Sequence, residues 1–155
     1  MQQTVGIRQA TTADTERIHE IHTQSVKTLC KGHYSSEQIA GWLKNRSPQG
    51  YLPGIGRGEV FVATDGLSIL GFGQAIPGEI HAIYVAPAYA KQGVGILLLA
   101  QALTAARAGS QRDVYLESTL NAQGFYKRAG FVEVERSTVR RNDVLLPVIR
   151  MVSSA

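Results

Sequence analysis

Glu79-Ile-His-Ala-Ile-Tyr-Val-Ala-Pro-Ala-Tyr-Ala-Lys-Gln-Gly-Val-Gly95 changes its periodicity halfway along. Glu79 to Val85 alternates, which predicts a strand with Glu79, His81, Ile83 and Val85 on one face. Pro87 ends that strand. After a short loop, Gly93-Val94-Gly95 opens an apolar segment containing Leu97, Leu98, Leu99 and Leu103, which predicts a helix to about Ala108 with Gly109 just past its end. The first N–H groups of a helix have no partner inside it, and its macrodipole adds positive potential there. Glycine removes side chains that would keep a bulky anion from those donors. The segment therefore suits an anion such as phosphate or pyrophosphate. Leu98 stands where a dinucleotide fingerprint needs its third glycine, and the Gly-Lys-Ser/Thr of a P-loop is missing.

Four short strands precede the helix. Val5 to Gln9 is a first strand; Thr11 and Asp14 at capping-box spacing start a helix that carries Ile18, Ile21, Ser25, Val26 and Leu29. Ser35 and Gln38 repeat the capping signal before Ile39, Trp42 and Leu43. Asn45 to Gly58, rich in glycine and proline, reads as loop. Glu59 to Thr64, Ile69 to Ile76 and Glu79 to Val85, joined at Asp65-Gly66 and Pro77-Gly78, form an antiparallel meander. Downstream come a strand at Asp113 to Glu117, a short helix at Asn121 to Ala129 and a hairpin turning at Arg141-Asn142-Asp143. Strand, long helix, strand implies a parallel crossover. The fold class is thus α/β (α+β), with helices on both faces of a mixed sheet.

The chain has 155 residues, 44% hydrophobic and 18% charged, which predicts one domain over 1–155. The lone Cys30 excludes an internal disulfide and a cysteine-cluster zinc site. No apolar run approaches the ~18 residues of a membrane span, and Met1 to Gly6 lacks leader features, so a cytoplasmic protein without a membrane partner is expected. The formal charge is +4. Its basic residues are scattered, with Arg136, Arg140 and Arg141 nearest to a cluster, and this argues against nucleic acid. His19 and His22 lack a third ligand, so no metal is expected.

Tyr84-Val-Ala-Pro-Ala-Tyr-Ala-Lys-Gln-Gly-Val-Gly-Ile-Leu-Leu-Leu99 resembles the acetyl-coenzyme A motif of the GNAT N-acetyltransferase superfamily: a Val-x-Pro strand end, Arg/Gln-x-x-Gly-x-Gly/Ala, then an apolar helix. Leu120-Asn-Ala-Gln-Gly-Phe-Tyr-Lys-Arg-Ala-Gly-Phe131 resembles that family's Asn-Ala-x-x-Phe-Tyr-x-x-x-Gly-Phe signature. Ile7 to Asp14 and Leu146 to Met151 match its ends. His33-Tyr-Ser-Ser-Glu-Gln-Ile-Ala-Gly-Trp42 is similar to a branch of small bacterial members. One departure is Ala90, which stands where the leading Arg/Gln of the glycine loop is usual.

The resemblance implies a mostly antiparallel sheet with a central parallel splay, and direct attack of a primary amine on acetyl-coenzyme A in a ternary complex. It assigns the cofactor to Tyr84, Val85, Ala90, Lys91, Gln92, Gly93, Val94, Gly95 and Asn121. A bulge at the end of the strand, at Val85, offers a backbone N–H to the thioester carbonyl. Tyr126 matches the tyrosine that protonates the departing thiolate and also touches the cofactor. Glu79 matches the strand glutamate that serves as base in some members, and His81 is the other base candidate. The acceptor pocket falls on His33, Tyr34 and Trp42. The acceptor is a small-molecule or peptide amine; a homodimer is compatible, pairing through a late strand such as Val144 to Met151. The alternative on the same fold is a non-catalytic acyl-coenzyme A sensor, for which Ala90 speaks and Tyr126 and Glu79 do not.

Overall fold

The computed structural model describes residues 4–109 and 112–154, so the leader-free reading of Met1 to Gln3 lies outside it. Seven strands form one sheet in the order β1-β2-β3-β4-β5-β7-β6. They are β1 (Gly6–Gln9), β2 (Val60–Thr64), β3 (Ile69–Ile76), β4 (Glu79–Val85), β5 (Asp113–Ser118), β6 (Val132–Arg141) and β7 (Val144–Ser154). All neighbours are antiparallel except β4 and β5, which pair in parallel only at Glu79↔Tyr115 and Ile80↔Leu116. Beyond Ile80 the two strands part. The mixed, mostly antiparallel sheet with a central parallel splay is therefore present.

Among the described residues five α-helices accompany the sheet: α1 (Thr15–Leu29), α2 (Ser36–Leu43), α3 (Leu52–Gly56), α4 (Val94–Ala106) and α5 (Gln123–Arg128). Alternation along β2 shows which face each takes. Phe61 and Ala63 pack with Leu98, Leu99 and Ala102 of α4, whereas Val60 and Val62 pack with Ile18 and Ile21 of α1. The two long helices thus cover opposite faces. Fully burying a Val, Leu, Ile or Phe side chain is worth about 1.5–3 kcal/mol, so both layers are fixed firmly to the sheet.

Local chemistry places the smaller elements. Ser35 Oγ accepts from the Gln38 N–H at 3.0 Å while Gln38 Oε1 accepts from the Ser35 N–H at 2.9 Å, the reciprocal cap that starts α2. Asn142, at the tip of the β6–β7 hairpin, donates to the carbonyls of Gly41 and Lys44, 2.7 Å each, and so ties the hairpin to the end of α2.

Two expectations differ from the structure. Asn45 to Gly58 is not all loop: a 3₁₀ turn at Pro48–Tyr51 runs into α3, with Pro48 and Pro53 at opening positions where a missing N–H costs nothing. Strand β7 lies between β5 and β6; β6 pairs it from Val144 to Val152, whereas β5 pairs it only from Ile149 to Ser154. Lastly, Glu79, His81, Ile83 and Val85 do not share a face. Gln74 pairs with Ala82 but Ala75 with Ile80, so the bulge sits at His81 rather than at Val85. Ile83 and Val85 therefore pack with α4, and Ala82 and Tyr84 with α1.

Candidate active site

The loop after β4 is built for an open helix start. Pro87–Tyr89 makes a 3₁₀ turn, and Gly93 then caps α4 at φ 87°, a left-handed conformation that a side chain disfavours. A Cβ on Gly93 would meet nothing within 4 Å, so the space in front of the helix is clear. Leu97 N–H makes the first bond of α4, to Gly93 O at 3.3 Å, which leaves the N–H groups of Val94, Gly95 and Ile96 without helical partners. Lys91 is exposed beside them. Gln92 is turned back, its Nε2 donating to Ala88 O at 3.3 Å, and Ala90 has no group that reaches the same space. Gly95 has a different reason to be glycine: a Cβ there would stand 3.2 Å from the Phe125 ring.

The splay exposes one edge of β4. Ala86 N–H donates to Leu70 O at 2.8 Å, and Phe72 stands opposite Tyr84, so alternate residues from Ala86 backwards turn their peptide groups toward β3. Ile83 and Val85 turn theirs toward the side that β5 has left. Val85 O accepts from Ser25 Oγ at 2.6 Å across that gap, and the Val85 N–H points the same way. Asn121, in the turn after β5, accepts the Cys30 thiol on Oδ1 at 3.4 Å. Burial pushes the Cys30 thiol up to about 11, so it stays protonated and unreactive.

Tyr126 is buried on α5, held edge-on between Phe125 (5.1 Å between centroids) and Phe131 (5.8 Å). Burial pushes its hydroxyl well above the usual phenol range, which keeps the proton on oxygen.

On the α1 side of the sheet lies a cavity of about 330 Å³. It is lined by Glu79, His81, Tyr34, Trp42 and Tyr84 among the expected residues. The bulge at His81 turns its ring beside Glu79, with Nε2 3.6 Å from Oε2. Tyr34 and Trp42 line the wall as structure. Tyr34 donates to Pro147 O at 2.7 Å and accepts from Leu120 N–H at 3.1 Å, and its ring meets Trp42 at 5.6 Å. Exposed His33 is outside the lining.

A second cluster in this cavity had no sequence motif. His22, Arg46 and Tyr51 come from α1, the segment after α2 and the 3₁₀ turn. Arg46 Nη2 donates to His22 Nδ1 at 2.8 Å, and the Tyr51 hydroxyl lies 2.8 Å from the same nitrogen. The buried His22 ring lies on Tyr84, 4.2 Å between centroids. Burial, and then the nearby Arg46 charge, hold His22 well below the ordinary imidazole range, so it is neutral. No group of three metal-capable side chains occurs among the described residues.

A sheet that opens between parallel strands, beside a glycine-led helix and a cavity lined by Glu79 and His81, defines a GNAT-type acetyltransferase fold. The acetyltransferase (GNAT) domain model matches residues 30–152, and the chain belongs to that family and is an acetyltransferase. It is 33% identical over 133 residues to the N-alpha-acetyltransferase RimI of Mycobacterium tuberculosis, covering 84% of this chain and 80% of that protein. Among solved structures it is similar to a GCN5-related N-acetyltransferase of Rhodopseudomonas palustris, with TM-score 0.91 and 25% identity over 98% of this chain and 96% of the other. The PaiA N-acetyltransferase of Thermoplasma acidophilum, solved with coenzyme A, has the same fold at TM-score 0.78 and 22% identity, covering 98% and 99% of the two chains.

Proposed function

We propose that the protein binds acetyl-coenzyme A in the β4–β5 splay and passes its acetyl group directly to a primary amine held in the 330 Å³ cavity. The observation that carries this reading is the parting of β4 from β5 beside the open start of α4. The N–H groups of Val94, Gly95 and Ile96 receive the pyrophosphate, with Lys91 beside them in place of the side chain that Ala90 lacks. The Val85 N–H donates to the thioester oxygen as negative charge develops there. An alkylamine is mostly protonated at neutral pH, so a base must take its proton. Glu79 and His81, side by side, are the two candidates. The acetyl carbon then bonds to nitrogen, the carbon–sulfur bond breaks, and Tyr126 gives its proton to the thiolate. A cytoplasmic location fits a consumer of acetyl-coenzyme A.

Initial rates of thiol release, with acetyl-coenzyme A and amine varied together, test the reading. Intersecting reciprocal plots support a ternary complex, and parallel ones indicate an acetyl-enzyme. Saturable acetyl-coenzyme A binding with no thiol release for any amine class would instead support a sensor.

A further inference from the structure

Arg46 is a half-buried guanidinium on the cavity wall with no anionic partner among the described residues. The ion pairs among the described residues engage Arg8, Arg17, Lys44, Arg57, His81 and Arg136, and none reaches Arg46. Its protein contacts are at His22 and Tyr51, with His22 offering a lone pair and no charge. That leaves donors of the planar fork free, in the geometry that grips a carboxylate or another oxyacid through two parallel bonds. Arg141 lines the same cavity and is also outside the ion pairs; its Nη1 reaches only the carbonyl of Arg140, at 3.2 Å. The acidic residues of the lining, Glu79 and Glu117, both lie on the strands of the parallel pair. One cavity therefore presents two unpaired guanidinium groups from the α2 and hairpin side, and two carboxylates from the sheet side.

We infer that the acceptor is a small zwitterion whose oxyacid group, a carboxylate or a phosphonate, is gripped by Arg46 while its primary amine faces Glu79 and His81. This rests on the acyl-transfer reading for the role of the amine. The volume of about 330 Å³ is at the small end of ligand sites and suits a molecule of amino-acid size. Arg46 acts as the specificity determinant, and His22 positions it. The positioning works because His22 is neutral: an imidazolium could not accept the Arg46 hydrogen bond and would repel the guanidinium.

The test uses matched pairs of free α-amino acids and their carboxamides, together with aminoalkylphosphonates. Binding is read by calorimetry with and without acetyl-coenzyme A, and turnover by thiol release. The free acids should exceed their carboxamides in kcat/KM by roughly 10-fold or more, carried mainly by KM. Intrinsic reactivity works the other way, since the carboxamide's amine loses its proton more easily. Arg46→Met should abolish the preference with acetyl-coenzyme A affinity unchanged, and Arg46→Lys should restore part of it. The phosphonates show which oxyacid the fork prefers. Equal use of acids and carboxamides, a preference that survives in Arg46→Met, or no binding of any acid would overturn the inference. Failure to bind acetyl-coenzyme A would sink the acyl-transfer reading instead, and the binding preference measured without it would still decide the role of Arg46.

Discussion

Gly95 on α4 and Phe125 on α5 meet so closely that a Cβ on the glycine would stand 3.2 Å from Cε1 of the ring. The contact joins the two stretches that carry the family resemblance. It also sets how near the start of α4 lies to Tyr126, the next residue after Phe125.

Gly95→Ala should therefore disturb chemistry more than binding. The ring must give by a few tenths of an ångström, and Tyr126 shares its helix. A fall in kcat of roughly 10-fold or less, with the affinity for acetyl-coenzyme A little changed, is the expected outcome of paired kinetics and calorimetry. A large loss of affinity with kcat intact would place the role of Gly95 at the pyrophosphate instead.

Tyr126→Phe should lower kcat by roughly 10-fold or more while acetyl-coenzyme A binds as before. The two flanking rings hold the phenyl group in place either way, so the variant should fold. Unchanged turnover would remove Tyr126 as the acid.

Cys30→Ala should leave turnover within about 3-fold of the parent, and mass spectrometry should find no acetyl adduct on the parent protein after incubation with acetyl-coenzyme A alone. A buried thiol held at about 11 has too little thiolate to attack a thioester at neutral pH. An adduct on Cys30 would contradict direct transfer.

Asp14 gives a pH signature in stability. Hydrogen bonds from Arg8 at 2.8 and 3.1 Å, and from the Thr11 N–H at 2.8 Å, hold its carboxyl below the usual range. A depressed carboxyl stabilises the fold above its unfolded pKa near 4, and that contribution fades as pH falls through the depressed value. Asp14→Asn should thus cost about 1 kcal/mol at pH 7 in urea unfolding, and the difference should shrink as pH falls through the depressed value. A difference independent of pH would mean the contribution is steric.

Much of this architecture is legible in residue order. The capping signals at Ser35 and Gln38, the turn glycines and the change of period near Pro87 each act locally, and local chemistry survives folding. The glycine loop and Tyr126 were visible because they sit in contiguous motifs. The bulge at His81 was not, since it arises from the pairing of β3 with β4 and leaves the residue pattern of β4 alternating. It reverses which face Ile83 and Val85 take. Short α3 hid behind prolines that open helices as readily as they break them. The His22, Arg46 and Tyr51 cluster was invisible for another reason: its members lie far apart in sequence and meet only through α1 and the turn at Pro48–Tyr51. Tyr34, expected in the acceptor pocket, lines the cavity, and its hydroxyl is engaged by two backbone groups.

Calorimetric titration of the protein with acetyl-coenzyme A, beside the Gly93→Val variant, bears most directly on the cosubstrate site. A side chain at φ 87° in the clear space before α4 would both strain the loop and fill the anion's place. The account predicts one-site, saturable micromolar binding to the parent protein and its loss in Gly93→Val, with the fold of the variant retained by circular dichroism. Equal affinity in both proteins, or no heat of binding in the parent, would contradict it.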